Sequence, residues 1–314
     1  MLEFYTPYDN WYPKKQVRLL KLFDEVGIPH EKKKQEFGWE LTIIGLWVSL
    51  DLLTITMPFE KQESIIDEIS QFLSNPVWHH PLQNWQQLLG YCNWALNTYP
   101  LLWPALQSSY AKLWGKSIPL APICLNKSVI QDLKWFAHQI SNSARVNFLE
   151  AWHWGEDDAE ITFWTDASNV GLAFWSPDVE SAFVAPIKDS DICYGDIFFN
   201  EALAVVCAID WATHLPDKPH CILVWTNSMN TIHIFHSLAA EPNYVLLLLR
   251  AVQLMMDFRV DVHVVHIPGI ENVVANALSW LLFQIASSHH PHLNITFFQP
   301  PWDELGAIQE WTYG

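Results

Sequence analysis

Apolar and polar positions alternate on a helical period between residues 14 and 26. Leu19, Leu22, Phe23 and Val26 recur on one side, while Lys14, Arg18, Lys21 and Glu25 fall on the other. This pattern predicts an amphipathic helix with the first set inward. The stretch GIPHEKKKQEFGWELTIIGLWVSLDLLTITMP then reads as strands around a turn near Ser49–Asp51, with Lys32, Lys33 and Lys34 as a solvated basic turn. From Pro58 to about Ser141 the period is helical again. FEKQESIIDEISQFL places Ile65, Ile66, Ile69 and Phe72 on one face, and three further helical runs follow, separated by proline or glycine.

The second half of the chain changes period. EITFWTDAS, GLAFWSP and SAFVAPI come in quick succession and read as an antiparallel meander. A helix, FFNEALAVVCAIDWATHL, precedes the strand HCILVWTNS. Two helical runs, MNTIHIFHSLA and NYVLLLLRAVQLMMDF, lead to the strand DVHVVHIPG, and the helix ENVVANALSWLLFQI closes the unit. Three strands, then helix, strand, helices, strand and helix predict an α/β domain with a mixed five-stranded sheet and helices on its faces. The remainder, from Ser287, reads as an extended tail whose His289, His290 and His292 are surface residues rather than metal ligands.

Composition narrows the class. Charged residues are 16% of the 314, against about 25% in ordinary soluble domains, and there are 18 tryptophans. The five cysteines (Cys92, Cys124, Cys193, Cys207, Cys221) form no CxxC pair, which fits reduced thiols in an intracellular, cytoplasmic or nuclear protein. VLLLLRAVQLMM carries Arg250 and is too short to span a bilayer, so no membrane partner is expected. The net charge of -17 is one-sided: from Glu156 onward 20 acids face only Lys188, Lys218, Arg250 and Arg259. Nucleic-acid affinity draws on Lys and Arg displacing counterions from phosphate, so this half should bind nucleic acid weakly.

One acid stands apart. Asp166 ends an apolar strand in ITFWTDASNVGLAFW, and a carboxylate there is costly unless something uses it.

The segments FWTDAS, FFNEALAVVCAIDWA, VWTNS and HIPGIENVVANALSW resemble, in order, the signatures of the retroelement ribonuclease H domain. Upstream, LLKLFDEVGIPHEKKKQEFG with LTIIGLWVS and LTITMP is similar to the end of a reverse-transcriptase palm. WQQLLGYCNWALNTYPLLWPALQSSYAKLWG is similar to a thumb and connection, and the whole is most like fungal DIRS-type or gypsy-like polyproteins. The resemblance implies a palm remnant over 1–58, a helical thumb/connection-like region over 59–150, an RNase H-like domain over 151–286 and a tail over 287–314. It implies cleavage of the RNA strand of an RNA–DNA hybrid by two Mg²⁺ or Mn²⁺ ions held by four carboxylates. Carried over by motif, those positions are Asp166, Glu201, Asn227 and Asn276.

Two of the four are amides. An amide offers one neutral oxygen and two N–H donors that repel a cation, so the formal charge falls from -4 to -2. The paired aspartates of a polymerase palm motif are also missing, since YTPYDN has one acid in the wrong register. The expected protein has a degenerate metal site at Asp166 and Glu201, no polymerase chemistry, and impaired or absent hybrid cleavage. A weakly active hybrid nuclease, a protein- or nucleic-acid-interaction module, and a fold recruited to another task are the alternatives.

Overall fold

In the computed structural model, residues 1–74, 78–143, 146–148, 154–187 and 197–300 are described. Cys193 and the last part of the expected tail, 301–314, lie outside them; Cys92, Cys124, Cys207 and Cys221 are free thiols. The chain forms two compact units, Met1–Gln62 with Ala144–Ala151, and Glu63–Ser143 with Trp152–Gly314.

The first unit opens on a hairpin of Leu2–Tyr5 and Asn10–Pro13, followed by the predicted helix at Lys14–Val26, which ends on Gly27 with φ 73°. The helix is where the periodicity puts it, but its buried face is not. Val17 and Leu20 pack with Tyr5 and Tyr12, while Leu19, Leu22 and Val26 remain exposed. The hairpin, invisible to a helical period, supplies the surface that selects the inward side. Asp24 then joins the hairpin to the segment beyond the helix, accepting a bond from Tyr5 and pairing with His30 at 3.0 Å. Lys32–Lys34 form the expected exposed turn, with Lys33 and Lys34 near Glu31.

Strands Glu40–Ile43, Leu46–Ser49 and Thr54–Thr56 form an antiparallel sheet completed by Val146–Phe148. The expected turn near Ser49–Asp51 joins the second and third of these strands, and a further turn precedes it at Ile44–Gly45, where both residues have positive φ (48° and 86°). Such two-residue turns ordinarily take Asn-Gly, and a β-branched residue in this region is strained. Ile44→Asn should therefore stabilise the protein by about 1 kcal/mol; a chemical-denaturation midpoint that falls instead would contradict the strained turn.

Helices Phe59–Ser74, whose first turn still belongs to the first unit, and Leu82–Ala95, Gln107–Leu113 and Lys127–Asn142 of the second unit occupy the region read as helical. Ile65, Ile69 and Phe72 are buried as their spacing requires. Gln107 bridges this region to the sheet domain, donating to the Leu238 carbonyl at 2.8 Å and accepting from the Ala240 amide at 3.0 Å.

The sheet domain comprises β1 (Ile161–Ala167), β2 (Gly171–Ser176), β3 (Ser181–Pro186), α1 (Ile197–Thr213), β4 (Cys221–Thr226), α2 (Met229–Ser237), α3 (Val245–Phe258), β5 (Asp261–His266), α4 (Val273–Ser279), α5 (Phe283–His289) and β6 (Asn294–Phe297). The strand order is β5-β4-β1-β2-β3-β6. β1, β2 and β3 form the expected antiparallel meander; β4 is parallel to both β1 and β5. The sheet is mixed, as predicted, but has six strands rather than five. Asn294–Phe297, read as tail, pairs in parallel with β3 and covers its edge.

Alternation along β2 shows how the layers form. Leu172 and Phe174 point into the core shared with α1 and α3, while Ala173 and Trp175 point into a second core with α4 and α5. α1 is apolar nearly all round and is buried accordingly. The predicted single helix after β5 is broken. Leu282 N–H bonds the Ala277 carbonyl and Leu281 adopts φ 60°, ending α4 without glycine. Leu281 packs on the second core, which offsets the cost of that backbone conformation.

Candidate functional site

Asp166 stands at the end of β1 and is buried. β1 lies between β2 and β4 in the sheet, so the loop after β4 comes to the same edge. Asn227, the first residue of that loop, donates its side-chain amide to Asp166 Oδ1 at 3.1 Å. From the other face, Ser279 at the end of α4 donates its hydroxyl to Asp166 Oδ2 at 2.6 Å. Both carboxylate oxygens are thereby engaged by protein donors. Burial raises the Asp166 pKa, and the bonds from Ser279 and Asn227 oppose that rise.

Glu201 lies in the first turns of α1, with the Ala167 amide bonding its carboxylate. Burial, and then the negative charge of Asp166, push the Glu201 carboxyl up to about 8, so at neutral pH it keeps its proton. Its Oε2 has no hydrogen-bond partner, and neither has Asn227 Oδ1. The contrast with Asp210 on the same helix is direct: that carboxylate is met by Arg250 at 2.8 Å. Glu201 and Asn227 line one concavity of about 310 Å³, with Ile197, Phe198, Ser228, Met229 and Asn230.

Three of the four positions expected from sequence thus come together. Asn276 lies on α4, one turn before Ser279, and its carbonyl, 2.9 Å from Ser279 Oγ, shares the single hydroxyl proton that also meets Asp166. Among the described residues no hydrogen bond ties its side chain to the other three.

Three residues that no sequence argument singled out complete the cluster. Ser279 is the donor to Asp166. Asn272, nearly fully buried, donates to the Thr165 carbonyl at 2.9 Å. Ser168 accepts from the Val170 and Gly171 amides and donates to the Ser279 carbonyl at 2.8 Å, stapling the β1–β2 turn to the end of α4. Asn272 and Ser279 lie within HIPGIENVVANALSW and Ser168 within FWTDAS, but a serine or asparagine at a turn needs no such role. Gly171 permits the close approach of α4, because a Cβ there would sit 3.1 Å from the carbonyl oxygens of Ala185 and Ser279. Ser279→Ala should cost about 1–3 kcal/mol by leaving Asp166 Oδ2 without its buried donor; an unchanged unfolding free energy at pH 7 would show that this bond contributes nothing.

The donor set does not fit a pair of divalent ions. Among the described residues only two carboxylates are present, one protonated at neutral pH and the other held by two protein donors. Among the described residues, no group of three or more His, Cys, Asp or Glu side chains could hold a metal ion. No helix among them is long and apolar enough to cross a membrane.

No protein-family profile matches the chain, and no curated protein matches it in sequence. Two similar solved structures are both of a foamy viral protease-reverse transcriptase. One, a "dRH" form in complex with ds DNA, has 15% identity and TM-score 0.28, covering 80% of this chain and 42% of that one. The other, in complex with dsDNA, has 14% identity and TM-score 0.27, covering 92% and 52%. The chain spans about half the length of these proteins.

Proposed function

We propose that this chain is a retroelement-derived protein whose sheet domain is an RNase H-like fold that no longer works as a two-metal nuclease. The observation that carries the reading is the fate of Asp166. The position that resembles a metal ligand is instead the acceptor of an internal cluster, with the Asn227 amide on one oxygen and the Ser279 hydroxyl on the other. The order of motifs along the chain, the mixed sheet and the meeting of Asp166, Glu201 and Asn227 support the ancestry. The loss of charge at Asn227 and Asn276 supports the loss of hydrolysis, because two metal ions would be left largely unneutralised.

A divalent ion, if bound, would supply Lewis-acid activation of water and phosphate. The residues here instead keep a proton at Glu201 and close Asp166 to solvent. Binding is the function that remains. The sheet domain carries most of the negative charge, so the partner is a protein more readily than a nucleic acid. The test is an RNA–DNA hybrid cleavage assay on the full chain with Mg²⁺ and, separately, Mn²⁺. The expected result is no cleavage above a Glu201→Gln, Asp166→Asn control, and metal-dependent cleavage that this control abolishes would refute the reading.

A further inference from the structure

The concavity beside the former metal position has features that the internal cluster leaves unused. Glu201 is 7% exposed, and its Oε2 has no partner. Asn227 has turned its amide N–H toward Asp166, which leaves Oδ1 as a second unpartnered acceptor. Both residues line the same concavity. Buried oxygens without partners are uncommon in folded proteins. A cation placed between these two favours the ionised form of Glu201, so its proton leaves to solvent and both oxygens then take a ligand that donates and does not accept.

The rim adds a second requirement. Phe198 is 43% and Met229 62% exposed, and Ile197 lies beside them, so an apolar stem can lie along the mouth. The surroundings add a third, because from Glu156 onward 20 acids face four bases. A cationic ligand is drawn to this half of the chain and a phosphate is repelled.

We propose that this concavity is a receptor site for an arginine side chain presented by a protein partner. The guanidinium carries five N–H donors and no acceptor, and its planar fork can reach two separate oxygens at once, Glu201 Oε2 and Asn227 Oδ1. Its methylene stem suits Ile197 and Met229. Lysine brings a point charge that serves both oxygens less well. This inference rests on the reading of the site as closed to metal, and it names the class of partner.

The experiment titrates the full chain with N-acetyl-arginine amide, N-acetyl-citrulline amide, N-acetyl-lysine amide and MnCl₂. Binding is followed through the Asn227 side-chain amide signals by NMR and by calorimetry. The arginine compound should bind about tenfold or more tightly than its neutral citrulline isostere, the margin of one charge-assisted hydrogen bond, and more tightly than lysine. Glu201→Gln should remove that margin, and Asn227→Ala should do so too, which guards against a folding defect in either variant. Equal binding of arginine and citrulline, or a preference that survives both substitutions, would overturn the inference. Mn²⁺ binding that Glu201→Gln abolishes would instead overturn the metal-free reading of the site. Failure of arginine selectivity without Mn²⁺ binding overturns the arginine site alone.

Discussion

Glu201→Gln should raise the thermal midpoint strongly at pH 8 and hardly at all at pH 4.5. In the folded protein the Glu201 carboxyl is pushed up to about 8 by burial and by Asp166, whereas in the unfolded chain it titrates near 4.3. Between those values the native state binds the extra proton, so stability falls as pH rises through the window and levels off above about 8. Glutamine has no proton to lose. The difference between variant and parent should therefore grow from near zero at pH 4.5 to a few kcal/mol at pH 8, roughly 5–15 °C in the midpoint. Asp132 is a second buried acid, pushed up to about 7 by burial. It imposes a slope of the same sign that persists in the variant up to about pH 7. Midpoints measured from pH 4.5 to 9 decide the matter: parallel curves for parent and variant would mean that Glu201 is solvated and ionised throughout.

The second large effect is expected from restoring the missing acids. Asn227→Asp removes the amide that donates to Asp166 at 3.1 Å and puts a carboxylate in its place. The loss of a buried donor and the added repulsion should together destabilise the metal-free protein by about 3–5 kcal/mol at pH 8. Asn276→Asp should cost much less, since no hydrogen bond joins that side chain to the cluster among the described residues. In the double variant, four acids stand where the two-metal pattern asks for them. Mn²⁺ at a hundredfold excess over its dissociation constant should then recover about 2.7 kcal/mol through linkage, and the parent should show no such recovery. Cleavage is expected to return less readily than metal binding, because residues acting as one catalytic unit are far from additive and only four arginines are present in the chain. Thermal unfolding with and without Mn²⁺ is the measurement; a double variant as indifferent to Mn²⁺ as the parent would mean that the carboxylates do not converge.

Local pattern specified the elements whose stabilising contacts are local or repeat with the element's own period. The Lys14–Val26 helix and the strands β1 to β5 have bounds close to those their periodicity implies, and Asp166, Glu201 and Asn227, which the motif order singled out, lie together. That positions 227 and 276 are amides and not acids was also plain from the chain alone, because charge belongs to the residue type and not to its surroundings.

What only tertiary structure decided depends on groups far apart in sequence. The inward face of the first helix was set by the hairpin that immediately precedes it, through burial of Tyr5 and Tyr12 against Val17 and Leu20. The Ile44–Gly45 turn carries no turn signature, because strand pairing on both sides holds an isoleucine in a strained backbone. β6 is too short to declare itself and exists because the edge of β3 was open to it. The same holds for the site. That both Asp166 carboxylate oxygens accept hydrogen bonds follows from Ser279, 113 positions away, and from which end of the Asn227 amide faces it. Composition says how much charge a site can hold, but the three-dimensional placement of donors determines whether that charge is satisfied, and at Glu201 it is not.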